Sequence, residues 1–367
     1  MSIKNIKVRT KTAGRQSQLC HRQPVISYRS GKIPAQAGTE VSSILLNMKV
    51  SIIVVNYRVP KLLRACLQSI REQVKAECEV IVTDNASGDG SVEMVREEFP
   101  WVHLIANPTN DGFAAGNNIA LPHATGEYVF YLNPDAEVIA DAVDALVTYL
   151  DTHPDVGLVA PRLINTDDSL QKSVHRFYSF WDTLIDNRLF PYLFKNSKRL
   201  KSYNYAFWPH DEEREIDWAK GAALMVRKSI LDELGAFDEQ FWIYGEEIDL
   251  CYRIKKAGWK IVFFPNAVIR HHEKQSSRQH STVMFIQNYK SLYLFIRKHY
   301  SRLDFELYRA RAVLSILIWL FTFWIKKMSG KKGAAEEFGK YAALFKWHLK
   351  LKENLHKPLL INQSAKS

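Results

Sequence analysis

The chain has 367 residues, 47% of them apolar and 24% charged, which are the proportions of a folded protein and exclude global disorder. No uncharged apolar run reaches the roughly 20 residues that a spanning helix needs, which argues against a polytopic membrane protein. The net charge of +11 is uneven: residues 1–47 hold eight Lys/Arg against one acid, residues 48–289 hold 26 against 33, and residues 290–367 hold 16 against five. An acidic middle between basic ends does not suit a nucleic-acid reader, whose positive charge covers the reading surface.

Residues 1–47 carry no helical or strand period and read as a disordered basic leader, with Met48 as a natural beginning. Val50–Asn56 is a nearly continuous apolar run, the pattern of a strand buried on both faces. Lys61–Val74 has helical spacing, Val80–Thr83 is a second strand, Ser91–Phe99 a helix and Trp101–Ala106 a third strand. Phe113–Ala120 is a short helix opened by a glycine. Tyr128–Leu132 is a fourth strand and Ala140–Thr152 a helix. This alternation predicts parallel βαβ units and an open twisted sheet, whose ligands sit at the carboxyl ends of the strands.

The second half is less regular. Residues 176–215 read as a long aromatic and charged loop and Ile216–Val226 as a strand. Lys228–Leu234 and Glu246–Ala257 are helices, each closed by a glycine. Trp259–Phe264 and Ala267–Arg270 are strands, and the chain beyond residue 281 is helical. The four cysteines, Cys20, Cys66, Cys78 and Cys251, lack the paired short spacing of a zinc ribbon or disulfide scaffold and fit a reducing compartment.

Four places carry candidate chemistry. Asp135 follows a buried strand in Asn133-Pro134-Asp135; it suits a hard divalent cation with phosphate ligands, and equally a simple turn. Asp84 ends the second strand ahead of a Gly-rich turn and is placed to accept a hydrogen bond from a nucleobase. Glu246, Glu247 and Asp249 open a helix behind Phe241, Trp242 and Tyr244. The helix dipole favours acids there, and an aromatic wall raises a carboxylate pKa toward that of a general base. Glu246 and Glu247 point about 100° apart, so one of them faces a given cleft. His271 and His272 end a strand and face opposite sides, so one can join Asp135 at a metal.

In this order, VSIIVVNY (50–57), VIVTDNASGDGS (80–91), NDGFAAGNN (110–118), YLNPDAEV (131–138), KGAALMVRKSILDELGAFDEQFW (220–242), YGEEIDLCYR (244–253) and PNAVIRHHEKQSS (265–277) resemble the family 2 glycosyltransferases, in the bacterial rhamnosyltransferase-like branch. The resemblance implies an α/β GT-A fold, a Rossmann-like nucleotide-diphospho-sugar transferase, over residues 48–280, with a helical extension over 281–367. It implies that Asn56 and Tyr57 line the nucleotide pocket and that Asp84 meets the base. Asn133 and Asp135 occupy the family's Asp-any-Asp motif, with Asn in the first place. Asp135 and His271 then hold Mg²⁺ or Mn²⁺, with His272 as the alternative. Glu246-Glu247 stands where the family usually has Glu-Asp, making Glu247 the catalytic base. Trp218, Gly221 and Ala222 resemble the segment that approaches donor sugar and acceptor.

The implied function is inverting transfer of a sugar, rhamnose as the family-based choice, from a nucleoside diphosphate to a growing surface glycan. A sugar nucleotidyltransferase is an alternative; its Gly-rich loop after the first strand is missing, with Asn56-Tyr57-Arg58-Val59-Pro60 in its place. A nucleotide-sugar binder with a dead site is another. Ala312–Ile325 is a 14-residue uncharged stretch flanked by Arg309, Arg311, Lys326 and Lys327, short of a bilayer span. With the basic aromatic segment 334–351, it is expected either to lie on the inner face of the cell membrane or to pack on the catalytic domain.

Overall fold

A computed structural model of the chain describes residues 49–178, 208–272, 281–351 and 355. The leader expected over 1–47 and most of the expected loop at 176–215 lie outside the described residues.

Strands β1 (Val50–Asn56), β2 (Cys78–Asn85), β3 (His103–Asn107) and β4 (Tyr128–Leu132) alternate with helices α1 (Pro60–Gln73), α2 (Ser91–Glu98) and α3 (Gly112–Ala120). All four strands are parallel, as the alternation predicts, with β1 between β2 and β4. The strand next to β4 is not parallel. It is β11 (Ala223–Arg227), whose Ala223 faces Leu132 in an antiparallel pair. Beyond it lie β6 (Val156–Ile164), β12 (Lys260–His271) and β5 (Ala136–Ile139), giving the order β3-β2-β1-β4-β11-β6-β12-β5, with two-residue strands β7 (Leu170–Gln171) on β6 and β9 (Arg214–Glu215) on β12, and β8 (Val174–His175) paired separately with β10 (Trp218–Ala219). Helices α4 (Ala142–Thr152), α5 (Lys228–Leu234) and α6 (Glu246–Lys256) cover this part.

Alternating residues of each strand bury into separate cores on the two faces of the sheet. On one face, Ile52 and Val54 of β1 and Phe130 of β4 pack with Leu67 of α1, Val95 of α2 and Leu146 of α4. On the other, Ile53 and Tyr131 pack with Ala114 of α3, Ile230 of α5, Ile254 of α6 and Phe295 from the C-terminal helices. The period of two in the strands therefore builds three layers, helix on sheet on helix.

The second half departs from the sequence expectation in three ways. Ile216–Val226 is not one strand: Trp218–Ala219 pairs with Val174–His175, the chain leaves strand geometry at Lys220-Gly221-Ala222, and only then does β11 begin. The two strands expected at 259–264 and 267–270 are one long β12, with a register shift between Phe264 and Val268. Strands β5 and β6 carry no separate signal in the reading above. β5 has four residues, and β6 belongs to an antiparallel region that βαβ alternation does not foresee.

Three helices close the chain: α7 (Ser281–His299), α8 (Arg302–Met328) and α9 (Ala334–Leu349). Ser301 and Asp304 form a reciprocal capping box that starts α8. At 27 residues α8 runs well past the 14-residue uncharged stretch, and it is long and apolar enough to cross a membrane. That corrects the expectation drawn from the run length alone. Arginines at one end and lysines at the other interrupt the apolar run without interrupting the helix.

Candidate active site

The topology gathers the candidate residues at one edge of the sheet. β1, β2, β4 and β12 all end there, bringing Asn56, Asp84, Asn133 and His271 to it. β11 runs the opposite way and so begins there, just after Gly221-Ala222. The Asn133 amide donates to the Ala222 carbonyl at 2.9 Å, which fixes the two segments together.

On the β1–β2 side, Asn56 and Asp84 are register partners and both are buried. Asn56 Nδ2 donates to Asp84 Oδ2 at 2.6 Å and to Ser87 Oγ at 3.1 Å. The Ser87 amide donates to Asp84 Oδ1 at 2.9 Å. Asp84 is thus held rigidly, each oxygen with one bond made and a further lone pair for a ligand. Asn56 Oδ1 and Thr83 Oγ1 are buried without a partner beside it. Tyr57 follows at the rim, with the Arg58 guanidinium 5.2 Å from its ring centroid. At the start of α2, Asp89 Oδ1 accepts from the Ser91 amide and hydroxyl at 3.1 and 2.6 Å.

On the β4–β12 side, β12 pairs with β5 so that His271 stands opposite Ala136, one residue from Asp135. His271 Nε2 lies 3.2 Å from Asp135 Oδ1, and both side chains are buried. The neighbouring Gln171 determines what that contact is. Its Nε2 donates to Asn165 Oδ1 at 2.9 Å and to the His271 carbonyl at 3.4 Å, so its Oε1, 2.7 Å from His271 Nδ1, accepts. The Nδ1 position therefore carries the proton, and in the neutral ring the Nε2 lone pair points at a carboxylate oxygen. Two lone-pair donors facing each other call for a cation or proton between them. Asn133 Nδ2 approaches Nε2 at 3.4 Å, and Asn133 Oδ1 stays buried without a partner. The donor set, one carboxylate, one imidazole oriented by an amide and a spare amide oxygen, fits a divalent cation that takes its remaining ligands from phosphates. Among the described residues no group of three or more His, Cys, Asp and Glu is arranged for a metal, so ligand oxygens would have to complete the shell. His272 turns away, as strand alternation requires, and its Nε2 meets Glu137 Oε1 at 2.5 Å.

The third part of the edge is the start of α6. Glu246 is buried, with Oε2 unpartnered, whereas Glu247 is only partly buried, so the two do face apart. Burial, and then the adjacent Glu247 charge, push the Glu246 carboxyl well above the usual range. Burial also raises Glu247, opposed by backbone donors and, more weakly, by Lys220. Its Oε2 accepts from the Gly245 amide at 2.9 Å. Gly221 lies over this side chain: a Cβ there would sit 3.4 Å from Glu247 Cβ. Trp218, by contrast, is buried, stacked on His175 at 4.3 Å between centroids, with its indole N–H donated to the Arg176 carbonyl at 2.8 Å.

Residues outside the candidate set hold this loop. From α3, the Phe113 amide donates to the Trp242 carbonyl at 2.8 Å, and Asn118 Nδ2 donates to the Phe237 carbonyl at 2.8 Å. Gly112, at φ +91°, has no room for a side chain, since a Cβ would lie 2.3 Å from the Trp242 oxygen. From α7, Ser291 Oγ donates to the Ile243 carbonyl at 3.0 Å. Fully buried Asp249 accepts from Arg253 Nε (2.8 Å), Lys298 Nζ (2.7 Å) and His299 Nε2 (2.6 Å). Burial alone would raise the Asp249 carboxyl, but hydrogen bonds from His299, Lys298 and Arg253 outweigh it and hold it at about 2. In the sequence, Asp249 is only a third acid in a helix's first turn. The Lys298-His299 pair 50 residues on gives no local signal.

Known proteins resemble this chain in sequence and in fold. Residues 51–210 match the model of the family described as "Glycosyl transferase family 2". An N-acetylglucosaminyl-diphospho-decaprenol L-rhamnosyltransferase of Mycobacterium tuberculosis is 26% identical over 68% of this chain and 84% of its own length. The rhamnosyltransferase WbbL of Escherichia coli K12 is 23% identical over 63% of this chain and 88% of its own length. Among solved structures, a mannosyltransferase from Pyrobaculum calidifontis, in complex with GDP-Man and Mn²⁺, superposes with a TM-score of 0.51 at 20% identity, covering 84% of both chains. GalNAc-T7 with UDP, GalNAc and Mn²⁺ gives a TM-score of 0.52 at 14% identity, over 86% of this chain and 59% of its own. The mixed α/β fold is thus of the nucleotide-sugar transferase type, and the chain is a glycosyltransferase that matches family 2 over residues 51–210 and is related to the bacterial rhamnosyltransferases.

Proposed function

We propose that this enzyme transfers a sugar, rhamnose from a dTDP donor, with inversion, to a hydroxyl of a growing, lipid-linked surface glycan. The observation that supports the transferase chemistry is the facing pair Asp135 Oδ1 and His271 Nε2, with the His271 ring oriented by Gln171. Two relatives named as rhamnosyltransferases support the choice of sugar, and one whose acceptor is a diphospho-decaprenol supports the lipid link. The two solved structures hold Mn²⁺ beside a nucleotide or nucleotide-sugar.

In this reading Asp84 accepts a hydrogen bond from the base while Asn56 and Tyr57 line the nucleotide pocket. Asp135 and His271 would hold Mg²⁺ or Mn²⁺, which when bound would supply positive charge to offset the negative charge that grows on the departing nucleoside diphosphate. Glu247 takes the proton of the acceptor hydroxyl as it attacks; its raised pKa brings it nearer to working pH than an ordinary glutamate. Gly221 keeps the space above Glu247 open. Buried Glu246 cannot reach an acceptor and serves instead to shape the start of α6. Trp218 contributes through the wall it forms with His175. The enzyme works on the cytoplasmic side, attached peripherally to the inner face of the cell membrane.

Calorimetric titration with dTDP, UDP and GDP, each with Mn²⁺ and again with EDTA, tests this. Metal-dependent preference for dTDP, lost in Asp135→Asn, is the expected outcome. Preference for UDP or GDP removes rhamnose and keeps the transferase. Binding to none of them points to the dead-site alternative.

A further inference from the structure

Helix α8 has two opposite faces. On one, Tyr308, Ala312 and Ile316 are buried. Tyr308 packs edge-on to Tyr293 of α7 at 5.6 Å, and Trp319 and Phe323 stack on Tyr341 of α9 at 6.0 and 5.6 Å. The other face is uncovered. Leu307, Leu314, Leu317, Phe321, Trp324 and Met328 recur at spacings of three, four and seven, and are exposed, Phe321 at 62% and Met328 at 73%. At about 100° per residue these side chains fall within an arc of roughly 120° that holds no charge from Leu307 to Met328. Arg311 borders the arc on one side, Arg309 and Lys327 on the other.

We infer that this face of α8 lies in the plane of an anionic lipid leaflet, inserted to headgroup depth without crossing. The inference rests on the peripheral attachment proposed above and names the surface that makes it. Charge selects the occupant. Residues 290–367 carry 16 Lys/Arg against five acids, so two copies meeting through this face would bring like charge together, whereas an anionic surface attracts it. Aromatic and aliphatic side chains on one face, with cations along its borders, are what an interfacial helix presents to lipid.

Packing selects the depth. A spanning α8 would have to shed α9, which carries Glu336, Glu337, Lys340 and Lys346 and cannot follow it into hydrocarbon.

The test is flotation of the purified full chain with phosphatidylcholine vesicles and with vesicles containing 30% phosphatidylglycerol. The wild type is expected to float with the anionic vesicles. Leu317→Glu/Phe321→Glu should lower partitioning about a hundredfold, since each removes the burial of one large apolar side chain. Lys326→Gln/Lys327→Gln should bind less and lose much of the preference for anionic lipid. Both variants should keep the wild-type metal-dependent nucleotide binding, so failure here and failure of the transferase reading are read separately. Flotation unchanged in Leu317→Glu/Phe321→Glu overturns the inference. So does resistance of the membrane-bound chain to alkaline carbonate, which shows a spanning helix. A dimer in light scattering that the Leu317→Glu/Phe321→Glu pair dissociates, without vesicle binding by the wild type, gives the face to a second copy.

Discussion

The two halves of the site are built by different physics. Asp135, in the turn between β4 and β5, and His271, at the end of β12, are aligned by the β5–β12 register, and Gln171 orients the His271 ring. Glu246 and Glu247 come from a helix start on a loop with no sheet partner. That loop depends on braces from α3 and α7, among them the buried junction of Asp249 with Arg253, Lys298 and His299. The strand-built half is positioned by backbone hydrogen bonds that almost any sequence can make. The helix-built half is positioned by specific side chains and is correspondingly easier to dislodge.

Substitutions separate the two. Glu247→Gln keeps the shape and the Gly245 contact but cannot take a proton. It should lower turnover by roughly 10²–10⁴ with nucleotide binding unchanged, measured as kcat against calorimetric Kd. Wild-type turnover in this variant would remove Glu247 as the base. Asp249→Asn leaves Arg253, Lys298 and His299 without their shared carboxylate and should cost about 1–3 kcal/mol of stability in chemical denaturation. It should also reduce turnover through the loop, whereas Asp135→Asn should leave stability nearly unchanged. Equal destabilisation by both would erase the distinction drawn here. Gln171→Ala frees the His271 ring to turn and should weaken Mn²⁺-dependent nucleotide binding by about 10–100-fold, without changing metal-free binding.

The smallest effect is in pH dependence. A carboxyl whose folded pKa is raised binds more protons in the native state, so its contribution to stability is complete at low pH and is lost as pH rises toward the folded pKa. Glu246 is such a group. Glu246→Gln should therefore flatten the fall in stability above the usual carboxylate range, measured by thermal unfolding across pH. Asp249 has the opposite sign: held at about 2, its contribution is present above the ordinary aspartate range and is lost only as pH falls toward 2. An unchanged pH profile in Glu246→Gln would mean that its buried carboxyl is not the group responsible.

Much of the nucleotide-facing half was legible beforehand. Val50–Asn56 reads as a doubly buried strand because continuous apolar runs are what parallel strands require, and Asn56 and Asp84 follow as its end and its neighbour's. Alternation along a strand also fixed that His271 and His272 diverge. The partner of each did not follow, because Gln171 is 100 residues from His271 and no local pattern links them. The 216–226 segment reads as one strand, since apolar residues dominate it despite Asp217 and Lys220. The break at Lys220-Gly221-Ala222 exists because Trp218 and Ala219 pair with β-structure at 174–175 while Ala223 pairs with β4.

The C-terminal helices show the same division. Sequence alone determined that 281–351 is helical, basic and aromatic, because spacing and composition are local properties. It left open whether the apolar residues of α8 pack on the protein or face outward. Tertiary structure decided that both occur: α7 and α9 take the side of Tyr308, Ala312 and Ile316, while Phe321 and Trp324 stay uncovered. A helix that is apolar nearly all round has no internal preference for which face it buries. Only the neighbours that arrive from elsewhere in the chain can choose.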